Sequence, residues 1–129
     1  DPMAEGEVGK VGVSIASIED IDVLIGLWSY NGPMIASALK GANKIGQIKA
    51  LTFDEDAETL QAIRDGVIES TVVQQPFEFG YQTVKLMAAY LTEGESALPE
   101  GGTNDIPVRV IDPSNVDEFE KNLKAMMGD

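Results

Sequence analysis

Apolar positions along the chain repeat one unit: a short apolar run, a turn, then apolar residues at spacings of three and four. Residues 11–15 (Val-Gly-Val-Ser-Ile) read as a strand. Residues 23–28 (Val-Leu-Ile-Gly-Leu-Trp) read as a second strand, apolar on both faces as in a covered parallel sheet. Pro33 then sits at a helix start, where its missing N–H costs nothing, and Met34, Ile35, Ala38 and Leu39 form that helix's expected buried stripe. Residues 48–53 are the next strand. Asp54, Glu55 and Asp56 follow and can cap a helix carrying Ala57, Leu60 and Ile63, which ends at Gly66. Residues 70–74 are β-branched and read as a strand. Pro76 opens a longer helix whose stripe is Phe77, Tyr81, Val84, Ala88 and Leu91, closed by Gly94. A polar loop over 92–104 leads to a last strand at 108–111, and Asn115 can cap a final helix with Val116, Phe119, Leu123 and Met126 on one side.

Alternating strands and helices predict an α/β fold of three layers around a mostly parallel sheet. In such sheets ligands bind beyond the carboxyl ends of the strands. Those ends carry Ser29, Tyr30 and Asn31, then Asp54, Glu55 and Asp56, then Gln74 and Gln75. Asn31, Asp54 and Gln74 together offer the donors and acceptors that a neutral polyol needs. Trp28 and Tyr30 add flat faces suited to the C–H faces of a sugar ring. Structural roles stand beside each of these: Asn31 and Asp54 as helix caps, Gln74 as an ordinary strand end, Trp28 as core. The three adjacent acids fit a helix dipole better than a metal, because no Asp-x-Asp-x-Asp-Gly loop is present.

Composition narrows the classes. Neither cysteine nor histidine occurs among the 129 residues, so no disulfide framework, Cys/His zinc site or Ser-His-Asp nucleophile can be built. An enzyme would have to work through carboxylates alone, and no cofactor is implied. With 22 acidic against 9 basic side chains, the net charge of -13 argues against nucleic acid. An apolar content of 43% argues for a folded core in spite of that charge. Residues 1–7 are expected to be a tag remnant or disordered, and 8–129 a single α/β domain. The apolar run at 23–28 is far too short to span a bilayer.

Three linked segments carry a resemblance. Residues 22–39, with Trp28-Ser-Tyr-Asn31 inside them, resemble the strand–Asn–helix unit of ribose-type periplasmic sugar-binding proteins. Ala50-Leu-Thr-Phe-Asp54 followed by Leu60-Gln-Ala-Ile-Arg-Asp-Gly66 resembles that family's next strand, ligand aspartate and helix. Glu69-Ser-Thr-Val-Val-Gln74-Gln-Pro76 resembles the segment with the ligand glutamine, where the chain crosses between lobes; residues 107–117 resemble the closing strand and tail. The resemblance spans about Ile21 to Met127. It implies a truncated part, mostly the second lobe, of the sugar-binding component of an ABC-type uptake system, periplasmic in location. It implies Asn31, Asp54 and Gln74 as groups that hydrogen-bond a pentose or hexose, and an ABC permease as the intact family's partner. Gly32-Pro33 departs from the acidic residue that usually follows the asparagine.

Residues 9–15 resemble the strand that opens the family's first lobe, joined almost directly to the middle of the second. Only seven residues, 16–22, link the first two strands, whereas a parallel crossover needs about a dozen or more. The first strand could form an antiparallel hairpin, run to a distant position or pair with a second chain, and the hypothesis is a homodimer completed by strand or element exchange. Half a site predicts weak or undetectable monosaccharide binding. The alternatives are an effector-domain fragment of a lactose-repressor-type regulator, which lacks here a helix-turn-helix and basic residues, a flavodoxin-like phosphoryl receiver, and a structural remnant with no ligand.

Overall fold

A computed structural model describes residues 20–128. The strand expected at 11–15, the expectation for 1–7 and most of the 16–22 connector lie outside the described residues. Four strands and four α-helices follow: β1 (Val23–Gly26), α1 (Asn31–Gly41), β2 (Lys49–Phe53), α2 (Ala57–Arg64), β3 (Ser70–Val73), α3 (Pro76–Glu93), β4 (Arg109–Ile111) and α4 (Val116–Met127). The sheet order is β1-β2-β3-β4, parallel across the first three strands and antiparallel at the last. The α/β class with a mostly parallel sheet is as the sequence predicts. The register sets Ile25 beside Leu51, and Val72 between Phe53 and Val110.

Because β1, β2 and β3 stand in sequence order, right-handed crossovers place α1 and α2 on one face of the sheet. There α1 packs on β1, β2 and α2, and α2 also meets α4. The core lies beneath them: Leu39, Ala50, Leu60, Ile63, Ile68, Val73, Ile111 and Val116 are fully or nearly fully buried in one cluster. Period-2 alternation then turns the other side chains to the opposite face. Val23, Ile25, Leu51 and Val110 are exposed there. Among the described residues α1, α2 and α4 form the helical layer on the core face. The expectation that β1 is covered on both faces is corrected accordingly.

Helix interiors differ from the predicted stripes where partners decide. In α1 the buried residues are Gly32, Ala36 and Leu39, with Ile35 half-buried, while Met34 and Ala38 face solvent. The cause is a close crossing with α2. A Cβ at Gly32 would lie 2.0 Å from Thr59 Oγ1, 3.0 Å from its Cβ and 3.1 Å from its Cγ2. Small residues at 32 and 36 turn that flank inward. Larger departures occur in α3, which buries no residue: Phe77 is 70% exposed and Leu91 83%, with Tyr81, Val84 and Ala88 also exposed. Its stripe has the helical period, yet its main contact is with the following 3-10 turn, Gly94–Ala97. In α4 the stripe fades from buried Val116 through half-buried Phe119 and Leu123 to exposed Met126. Gly66 and Gly94 end α2 and α3 with φ of +70° and +67°, as their residue type predicts.

Long-range polar contacts tie α2 to α4. Arg64 Nε donates to Asp117 Oδ1 at 2.7 Å, and Arg64 Nη2 donates to Glu120, which also pairs with Lys124 at 3.0 Å. Lys124 and Arg64 hold the Glu120 carboxyl below the usual glutamate range.

Candidate functional site

Side-by-side parallel strands bring three turns together at their carboxyl ends. A cleft of about 400 Å³ opens there, lined by Ser29 from the first turn, Asp54, Glu55 and Asp56 from the second, Gln74 from the third, and Pro76 and Phe79 from α3. Asp54 and Gln74 therefore share one wall, as the rim expectation requires. Asn31, Trp28 and Tyr30 belong to the neighbouring turn without lining this cleft. Trp28 is 62% and Tyr30 64% exposed, so the core alternative for Trp28 is corrected: β1 ends at Gly26 and the chain turns outward before the indole.

Asn31 holds the first turn closed. Its Oδ1 accepts from Trp28 N at 2.9 Å while its own N–H donates to Trp28 O at 2.8 Å. It is the first residue of α1, with Tyr30 in the cap position and no side-chain capping bond. The cap alternative for Asn31 is thus replaced by a turn lock, and its Nδ2 makes no hydrogen bond among the described residues. Gly26 makes this seat possible, since a Cβ there would come within 2.6 Å of Asn31 Cβ.

Asp54 is held in an uncommon backbone state. Its φ is +71°, a left-handed conformation rare outside glycine and worth a functional question at a strand end. Two bonds hold it there: Asp54 N donates to Val72 O at 3.0 Å, and Thr71 Oγ1 donates to Asp54 O at 2.8 Å. Capping of α2 falls to Asp56 instead, whose Oδ1 accepts from Glu58 N at 2.8 Å. The Asp54 carboxylate makes no hydrogen bond among the described residues, and Asp54 lines the cleft. Between them, Glu55 is half-buried; burial first, and the Asp54 charge second, push its carboxyl above the usual glutamate range.

Gln74 and Gln75 divide their labour. Gln75 Nε2 donates to Pro107 O at 2.6 Å and anchors the segment leading into β4. Gln74 is exposed and its side-chain amide makes no hydrogen bond among the described residues. The sequence places Ser29 and Glu55 at these strand ends without a ligand role, and its reading misses Phe79 as a lining residue. Phe79 was findable: it lies in the first turn of a helix opened by Pro76 straight after the Gln74 strand, which aims that turn at the rim. It also supplies an aromatic wall of this cleft.

Asn115 shows a similar substitution of roles. It stands at the cap position of α4 without a capping bond; its Oδ1 accepts from Asp112 N at 2.9 Å and its Nδ2 donates to Val110 O at 3.0 Å. The side chain secures the turn from β4 into α4.

Residues 14–96 match the model of a periplasmic binding protein domain. Comparison with curated proteins gives no significant sequence match. Among solved structures, an arabinose binding protein from Geobacillus stearothermophilus superposes with a TM-score of 0.68 at 24% identity, over 79% of this chain and 37% of that one. A solute binding protein of an ABC transporter from Burkholderia graminis, in complex with D-arabinose, gives 0.58 at 27% identity over 73% and 32%. Another, from Agrobacterium vitis and bound with α-D-tagatopyranose, gives 0.63 at 27% identity over 77% and 32%. The chain spans about a third of the length of these structures.

Proposed function

This chain belongs to the periplasmic binding protein domain family, and from that premise we propose that it is part of the sugar-binding component of an ABC-type uptake system. One observation carries the reading: Asp54 and Gln74 line one cleft at the carboxyl end of the sheet, and neither side chain has a hydrogen-bond partner among the described residues. A carboxylate that only accepts and an amide that does both match the alternating hydroxyls of a pentose or hexose. Asn31 adds its Nδ2 donors from the next turn, Phe79 a ring face, and Trp28 and Tyr30 further aromatic surface at the rim. The chain binds and does not transform its ligand. It acts outside the cytoplasm and hands sugar to a membrane permease. Among the described residues no helix is long and apolar enough to cross a membrane.

The cleft is open to water on one side, so each hydrogen bond gains only about 0.5–1.5 kcal/mol against an association cost of several. Binding by this chain alone is therefore weak, in the millimolar range, about -4 kcal/mol. Two-dimensional NMR with D-arabinose and D-galactose at high millimolar concentration tests this. The amides of Asn31, Asp54, Gln74 and Phe79 shift together and saturate, and Asp54→Asn abolishes the shift. No movement of those amides at saturating sugar refutes the sugar reading, and a micromolar dissociation constant refutes the half-site reasoning.

A homodimer formed by strand or element exchange belongs to the same reading. Supporting it are β1 at the edge of the described sheet and the exposed apolar side chains Val23 and Ile25 on its open face. Light scattering at high micromolar concentration gives twice the monomer mass; a monomer mass sinks it.

A further inference from the structure

A second groove adjoins the polar cleft and differs from it in chemistry. It measures about 510 Å³, with apolar walls formed by Phe77 of α3 and by Phe119, Leu123 and Met126 of α4. It arises because α3 leaves the sheet directly after β3 while the buried stripe of α4 fades along its length, so the two helices stand apart above the start of β4. Glu55, Gln74 and Pro76 line both hollows. The two hollows therefore adjoin along one shared rim made by these three side chains. Each is of the size that small-molecule sites have.

From this shared rim we infer that the site takes a sugar carrying an apolar substituent, an aryl or alkyl glycoside, with its ring on Asp54 and Gln74 and its aglycone in the groove of Phe77, Phe119 and Met126. This rests on the sugar reading above and extends it to a substrate class. A free pentose or hexose fills only the polar hollow and leaves the groove to water. An aryl group joined through a glycosidic oxygen crosses the shared wall, meets two phenyl rings at its faces or edges, and meets the thioether of Met126, which adapts to irregular shapes. Glu55 stands where the two parts of such a ligand join. Half-buried beside the apolar groove, it is placed to hydrogen-bond a sugar hydroxyl on the groove side of the ring.

Paired titrations of the intact chain with methyl and phenyl β-D-galactopyranoside, followed by NMR and calorimetry, test the inference. The phenyl glycoside is expected to bind about tenfold more tightly than the methyl glycoside, the size expected for partial burial of one ring. Phe77→Ser and Met126→Ser reduce phenyl glycoside binding to the level of the methyl glycoside and leave methyl glycoside binding unchanged. Both side chains are mostly exposed, so circular dichroism is expected to report an intact fold for each variant. Equal affinities for the two glycosides overturn the inference while the sugar reading stands. Binding of phenol and phenyl glycoside alike, with no methyl glycoside binding and no effect of Asp54→Asn, overturns both.

Discussion

Gly32→Ala probes the contact that seats the first turn of the candidate site. In the structure the added Cβ meets three atoms of Thr59, at 2.0, 3.0 and 3.1 Å. All belong to one fully buried, β-branched side chain, so rotating Thr59 exchanges one clash for another and the helices must separate. Overpacking of this kind costs about 1–3 kcal/mol, offset by the about 1 kcal/mol that alanine gains over glycine within a helix. The net change is small, so the informative quantity is the coupling with Thr59→Ala. That change removes Oγ1, which is buried without a hydrogen-bond partner among the described residues, and Cγ2, so that of the three nearest contacts the one to Cβ at 3.0 Å remains. Gly32→Ala is then expected to become neutral or stabilising by up to about 1 kcal/mol, for a coupling of about 1–3 kcal/mol. Urea unfolding of the four proteins, followed by circular dichroism at constant slope, measures it. A coupling within about 0.5 kcal/mol of zero refutes the steric account of why glycine follows Asn31.

Asp54→Gly relieves the positive φ and is expected to leave stability unchanged or to raise it by up to about 1 kcal/mol, while sugar-induced NMR shifts disappear; a stability loss above about 1 kcal/mol makes the side chain structural. Glu55 has a raised folded pKa, so its stability contribution is fully present below the ordinary glutamate pKa and is lost as pH rises through the raised value. Glu55→Gln therefore raises Tm at neutral pH and has no such effect in acid; a pH-independent difference contradicts the burial argument. Arg64→Ala is expected to cost about 1–2 kcal/mol in urea unfolding, more than an exposed ion pair, because Arg64 joins two acids on α4 and is mostly covered. The lowered pKa of Glu120 adds stability above the ordinary glutamate range that is lost as pH falls through the folded value, and the Arg64 variant loses part of that acid sensitivity.

Much of the fold was legible along the chain. Periods of 2 and 3.6 are local properties, and so are proline at a helix start and glycine at a helix end; β1 to β4 and α1 to α4 lie within a few residues of where those signals put them. Asp54 and Gln74 were legible for the same reason: each follows a strand directly, and consecutive parallel strands bring their carboxyl ends to one rim.

What depends on non-local partners was not legible. A stripe of Phe77, Tyr81 and Leu91 states that α3 is helical, but not whether anything lies against it. Asn31, Asp56 and Asn115 all carry cap-forming side chains, and only the path of neighbouring turns decided that Asp56 caps while the other two lock turns. Gly32 reads as a departure in the sequence and as a necessity beside Thr59. Burial, close approach and the meeting of a polar cleft with an apolar groove are relations between segments far apart in sequence. The sequence by itself therefore determined which elements form and in what order. Tertiary structure alone decided which faces are covered and that, among the described residues, Val23, Ile25, Leu51 and Val110 remain exposed on one side of the sheet.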